Sequence, residues 1–158
     1  MEQSSQPFSS RTQFEQHLRD CFARAEHRLD LFDPDFSLWQ LGHSTVDAEL
    51  RRFLAGHGRL RLAAHGNEHL QRQEPRFLRL LRDFGHAVEC RVTPAGLRQL
   101  SDSFCLADGA MLVRRFHCDH LRGVAVFADS DAIKLASDRF ESIWSESLPG
   151  LHASTAGL

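Results

Sequence analysis

The sequence predicts an α/β domain in which a central mixed sheet is flanked by helices. Between residues 12 and 92, amphipathic helical stretches alternate with short apolar runs of strand character. Three β segments then follow one another over residues 104–127 with no helix between them, and a last amphipathic helix closes the series. The order αβαβαβ-βββα requires helices layered against one sheet.

The elements follow in order. Residues 1–11 are polar, with Pro7 and several Ser, and read as a flexible lead to a domain over 12–148. From Thr12 onward, Phe14, Leu18, Cys21, Phe22 and Ala25 recur at helical spacing. Thr12 with Glu15 has the form of a capping box. Arg28–Phe32 alternates as a first strand, stopped by Asp33-Pro34. A second helix fits residues 45–55, with Val46, Leu50, Phe53 and Leu54 inward and Gly56-His57-Gly58 as its stop. Arg59–Ala64 is the second strand. Pro75 opens a helix over Arg76–Phe84 from the first turn, where its missing N–H costs nothing, and Gly85 ends it. Ala87–Val92 is the third strand.

The character then changes. Phe104–Ala107, Ala110–Phe116 and Arg122–Phe127 are β segments joined by the Asp108-Gly109 turn and by residues 117–121. Asp129-Ser130 starts the final helix, with Ile133, Leu135, Ala136, Phe140, Ile143 and Trp144 available to pack. Residues 149–158 read as a flexible tail.

Composition narrows the classes of function. A 158-residue chain with 42% apolar and 25% charged residues is ordinary for one globular domain. Its net charge of −2 argues against a generic polyanion binder. The basic residues are distributed unevenly. Lys134 is the only Lys, and residues 71–100 hold Arg72, Arg76, Arg79, Arg82, Arg91 and Arg98 against Glu74, Asp83 and Glu89. Arg offers a rigid fork of donors to phosphate or carboxylate, although an Arg-rich solvated helix face is the plainer reading. No run approaches the ~20 apolar residues that cross a bilayer, so no membrane insertion is expected. The opening Met1-Glu2-Gln3-Ser4-Ser5 lacks the basic and apolar regions of a signal peptide. Cys21, Cys90, Cys105 and Cys118 form no CxxC pair and read as reduced thiols, which places the chain in the cytoplasm.

Two motifs and their separation carry a resemblance. Phe104-Cys105-Leu106-Ala107-Asp108-Gly109 and Phe140-Glu141-Ser142-Ile143-Trp144 stand in an element order that resembles the phospholipase D-like superfamily from about Phe14 to Ser147. In that family a strand carries H-x-K-x4-D-G, the return strand carries G-S-x-N, and the last helix reads F-x3-W. With Asp108-Gly109 placed on the family's Asp-Gly, the nucleophilic His falls on Ser101 and the phosphate-binding Lys on Ser103. The Gly-Ser pair falls on Arg115 and Phe116, the Asn on Cys118, and a supporting Glu near Arg122. Asp108 alone is preserved.

The resemblance implies a domain of the single-repeat bacterial type that has lost its covalent chemistry, because Ser101 offers no ring nitrogen and Ser103 no cation. It further implies a homodimer built about the former site and an accessory role beside an acetyltransferase. That site would gather Asp33, His65, Thr93, Ser101 and Ser103. Arg91, Arg115, Arg122, His65 and His117 are the candidates for holding a phosphate-bearing or acidic ligand. No catalytic residue, metal or cofactor is expected. The alternatives are residual phosphodiesterase or nuclease chemistry through His117 or His120, and nucleic-acid binding through residues 72–98.

Other constellations point elsewhere less strongly. His65-Gly66-Asn67-Glu68-His69 matches the inverted zinc-protease pattern H-x-x-E-H, but its first His leaves a strand beside a glycine. His117-Cys118-Asp119-His120 holds metal-ligand types, yet in an extended chain alternate residues face opposite sides. Ser101-Asp102-Ser103 with His86 lacks the G-x-S-x-G elbow of a hydrolase; His86, after Gly85, suits a helix C-terminus. Trp39 and Trp144 read as core rather than as stacking platforms for bases.

Overall fold

Near-continuous apolar runs in the central strands, such as Phe104–Ala107, make a sheet that is apolar on both faces, and each face needs a cover of helices. The computed structural model describes residues 4–128 and 130–152. Within them, eight strands form one sheet: β1 (Ser4–Phe8), β2 (Arg28–Phe32), β3 (Arg59–Ala64), β4 (Val88–Val92), β5 (Ser103–Ala107), β6 (Met111–Arg115), β7 (Gly123–Phe127) and β8 (Leu148–Pro149). Their spatial order is β1-β7-β6-β5-β2-β3-β4-β8. β2, β3 and β4 run parallel, and the other neighbouring pairs run antiparallel. The mixed sheet expected from the sequence is present.

Helices α1 (Arg11–Arg24), α2 (Ser44–Ala55), α3 (Glu68–Gln73) and α4 (Pro75–Asp83) cover one face, and α5 (Asp131–Glu146) covers the other. Leu29, Leu31, Leu60, Leu62, Cys105 and Val113 point toward α1–α4 with Phe14, Phe22, Leu50 and Leu80. Phe32, Ala63, Phe104 and Leu106 point the other way, toward Phe140, Ile143 and Trp144 of α5. The F-x3-W residues are therefore core.

α5 is also held by guanidinium groups. The buried carboxylate of Asp30 pairs with Arg61 (2.8 Å), which reaches on to Glu141 and lies over the rings of Phe140 and Trp144. Arg91 lies 4.3 Å from the centroid of Trp144.

Several boundaries differ from the sequence reading. Residues 4–8, expected in the loose lead, form edge strand β1, in which Pro7 pairs opposite Val124, an edge position of the kind to which proline in a sheet is confined. The cap of α1 is Ser10, whose hydroxyl accepts from Gln13 N while Gln13 Oε1 accepts from Ser9 N. The Thr12–Glu15 box is thus displaced by two residues, and Glu15 pairs with Arg11 instead. α3 was not expected: six residues are under two turns, too short for a periodic signal. Leu148 and Pro149, near and inside the expected tail, form β8 against Val92 and Arg91, and Leu151 is buried. The expected helix opening at Asp129 and the tail at 153–158 lie outside the described residues, as do residues 1–3. The cap of α5 is Ser130, accepting from Ile133 N. Among the described residues no helix is long and apolar enough to cross a membrane.

Asp108 fastens the two halves of the sheet together. It sits in the β5–β6 turn with φ +56°, next to Gly109 at +65°, left-handed backbone that Asp tolerates better than most residues and Gly adopts freely. Its carboxylate accepts from the N–H groups of Glu26, His27 and Arg28 at 2.8–2.9 Å, at the entry to β2. Burial opposes its charge, but the three donors outweigh that and hold the carboxyl below its ordinary value. Asp108→Asn keeps the turn shape and removes the charge, so it should destabilise by about 2 kcal/mol at pH 7. Because the folded value is lowered, this contribution is complete above the unfolded value of about 4 and fades as the pH falls through the folded one. Urea unfolding of both proteins between pH 7 and pH 3 should show the two curves converging.

Candidate functional site at the strand ends

The parallel strands β2, β3 and β4 all end at the same edge of the sheet, and antiparallel β5 begins there. Asp33 follows β2, His65 follows β3, Thr93 follows β4, and Ser101–Ser103 leads into β5. Arg115 ends β6 directly opposite Ser103. The grouping of Asp33, His65, Thr93, Ser101 and Ser103 inferred from the sequence is thus observed at one end of the sheet, with Arg115 among them.

The interior of this cluster is closed. Arg115 is 2% exposed and its Nη2 donates to Asp33 Oδ1 at 3.0 Å, with Asp33 1% exposed. The other oxygen of Asp33 accepts from the N–H groups of Asp35 and Phe36. Arg115 Nη1 donates to Cys118 O, and the guanidinium lies 5.2 Å from the ring centroid of Phe14. Its charge is spent inside the protein. Ser103 is 0% exposed. Ser103 Oγ and Arg115 Nε have no hydrogen-bond partner among the described residues.

His65 is likewise engaged at both nitrogens. Nε2 donates to Leu100 O at 2.7 Å, and Nδ1 shares a hydrogen bond with the Thr93 hydroxyl at 2.6 Å. Ser101 O accepts from Cys118 N at 2.6 Å, tying the loop after β6 to the approach to β5. Between the two serines, Asp102 points to the other face of the sheet, where Arg114 and Arg139 grip its carboxylate. Burial resists the charge of Asp102, and the two guanidiniums outweigh it and lower the value.

These contacts settle several of the sequence candidates. Arg91 does not reach the cluster, because Glu89, Trp144 O and the Trp144 ring occupy its guanidinium. Arg115 reaches it but is neutralised there. Arg122 is exposed and, with Ser9, Phe116, His117, Asp119, His120 and Leu121, lines a separate groove of about 570 Å³ on the β6–β7 loop. Arg115 and Arg122 therefore do not join in one positive pocket. Phe116 is 43% exposed beneath Arg114. Asp108 lies at the opposite end of β5, so it serves the architecture and not the cluster.

A Ser/His/Asp hydrolase is excluded by placement: Asp102 is held by arginines, and His86 lines a cavity of about 490 Å³ with Arg28 and Arg59 at the other end of the strands. The H-x-x-E-H reading fails as well, since His65 binds Thr93 and Leu100 while His69 sits 3.3 Å from Glu74. What sequence reasoning missed was the Asp33–Arg115 pair. A signal was present: in β6, Met111, Val113 and Arg115 share one face, so the alternation puts Arg115 inward.

The architecture is that of the phospholipase D-like α/β fold. Solved structures similar to the chain include TrmBL2, described as an archaeal chromatin protein with a novel mode of DNA binding (TM-score 0.69, 10% identity, 92% of this chain and 54% of that one). Nuc from Salmonella typhimurium, a phospholipase D family member, matches with TM-score 0.64 and 8% identity over 94% of this chain and 99% of that one. NucT from Helicobacter pylori matches with TM-score 0.67 and 8% identity over 94% and 100%. The chain thus spans about half of the archaeal protein and nearly all of the two others. By sequence, the chain belongs to the family described as Domain of unknown function (DUF7931), whose profile matches residues 10–152. No curated protein matches it.

Removing one member of a buried ion pair strands the other, at about 3–5 kcal/mol, whereas replacing both is far milder. Arg115→Ala should therefore lower stability by that amount in urea titrations at pH 7. The double variant Arg115→Met with Asp33→Asn should recover more than half of the loss; equal losses in both would show that the pair is not what closes the cluster.

Proposed function

We propose that this chain is a non-catalytic phospholipase D-like module that binds a phosphate-bearing or acidic ligand, as a homodimer about its strand-end face. In this reading Ser101 and Ser103 occupy the positions of the family's nucleophile and phosphate-binding cation. The observation that carries it is the Arg115–Asp33 pair, which fills with side chain the place where a substrate phosphate would enter. Ligand contact then falls to the neighbouring groove, where Arg122 supplies an exposed guanidinium beside His117 and His120.

The purified chain is expected to release no product from a chromogenic phosphodiester, and to bind pyrophosphate with an affinity that Arg122→Ala weakens at least tenfold while Arg59→Ala leaves it unchanged. The rings of His117 and His120 stand 5.4 Å apart and favour a second reading, residual phosphodiesterase activity. Turnover abolished by His117→Ala or His120→Ala would replace the first reading with that one.

Nucleic-acid binding is a third reading, supported by Arg72, Arg76, Arg79 and Arg82, all exposed along α3 and α4. The archaeal neighbour described as DNA-binding shares the fold and lends this reading some weight. Four phosphate contacts would give a slope of about −3 to −4 in log affinity against log salt for duplex DNA, and each Arg→Ala change would remove about one. A flat response in fluorescence anisotropy dismisses it.

A further inference from the structure

The β6–β7 loop presents four potential metal ligands in succession, His117, Cys118, Asp119 and His120. In an extended segment neighbours would face opposite sides and no site could form. The loop is not extended. Phe116 N donates to Arg122 O at 3.0 Å, closing the hairpin, and His120 N donates to His117 O at 3.1 Å, folding the tip into a tight turn. One ligand atom from each of His117, Cys118 and Asp119 consequently lies within 4.8 Å of the other two. Asp119 is placed between its neighbours, with Oδ2 3.8 Å from His117 Nδ1 and Oδ1 3.9 Å from Cys118 Sγ.

We propose that His117, Cys118 and Asp119 form a binding site for a divalent transition metal of the zinc class, with a fourth position open to solvent. An imidazole nitrogen, a thiolate and a carboxylate are a borderline-soft donor set that suits zinc, whereas magnesium and calcium take oxygen ligands. Bonds of about 2.0–2.3 Å place ligand atoms about 3.5 Å apart in a tetrahedron. The observed spacing closes to that with rotation of exposed or half-buried side chains, without movement of the sheet. Thiolate and carboxylate together match the charge of a divalent ion. The nearby Arg115 guanidinium, already paired with Asp33, does not oppose it with an unpaired charge.

The backbone beneath is anchored: Cys118 N donates to Ser101 O, and Cys118 O accepts from Arg115. Coordination exchanges one exposed hydrogen bond, from Asp119 N to His117 Nδ1 at 3.0 Å, for a metal–nitrogen bond. His117 and Asp119 line the groove of about 570 Å³, which leaves room for a fourth ligand from solvent. This site does not depend on the acidic-ligand reading, and the titration that tests it uses metal alone.

The test is titration of the full chain, stripped of metal and kept reduced with a non-chelating phosphine, with cobalt(II) followed by zinc competition. One cobalt per chain is expected, with a near-ultraviolet thiolate-to-cobalt band and the visible bands of a four-coordinate ion. Cys118→Ser should abolish the thiolate band. Cys118→Ser and His117→Ala should each weaken zinc binding at least about 100-fold, the upper end of what loss of a supporting contact alone does. His57→Ala, on an exposed turn elsewhere, should change it less than twofold. Asp119 is 79% exposed, so Asp119→Asn leaves the fold intact and should weaken zinc at least about tenfold. A cobalt spectrum without thiolate character, or zinc affinities equal in the parent, Cys118→Ser and Asp119→Asn proteins, would overturn the assignment.

Discussion

The buried pair of Asp33 and Arg115 holds together the end of the fold where function would be sought. Asp33 closes β2 and organises the turn that follows it through two backbone donors, and its remaining oxygen takes the guanidinium that ends β6. Arg115 passes the constraint on to Cys118 O, and Cys118 N passes it to Ser101 O. Three chain segments far apart in sequence are thereby locked through one carboxylate. Buried ion pairs seldom add stability over an apolar replacement, but they punish any arrangement that leaves one partner alone. The pair thus specifies geometry more than it supplies free energy.

Guanidinium groups repeat this role on the opposite face. Arg61 and Arg91 lie over Trp144, Arg139 over Phe104, and each also reaches an acidic or carbonyl oxygen. Arg combines an apolar, stackable plane with several donors, so it can sit between a ring and a carboxylate where Lys would remain hydrated. This accounts for much of the chain's preference for Arg without invoking a polyanionic partner. The arginines of α3 and α4, like Arg122, stay in solvent.

Much of the fold was legible because long-lived patterns announce it. The alternation in Arg59–Ala64 and the first-turn Pro75 gave those two boundaries directly, and Asp108-Gly109 marked the hairpin. β1 was hidden because residues 5–7 are exposed, only Phe8 after them is buried, and the strand pairs with one more than a hundred residues later. The site was less legible for a related reason. Arg115 looked like a free cation, although its place in the alternation pointed inward. His117, Cys118 and Asp119 were separated by assuming an extended backbone, and only the turn that brings His120 N to His117 O gathers them.

Both rims of the sheet carry a proline, Pro7 in β1 and Pro149 in β8, and β8 is only two residues long. A rim lacking a donor, or too short to offer a ladder, cannot template a further strand. Among the described residues, both edge strands thus carry a feature that discourages pairing with a further strand and so edge-to-edge aggregation.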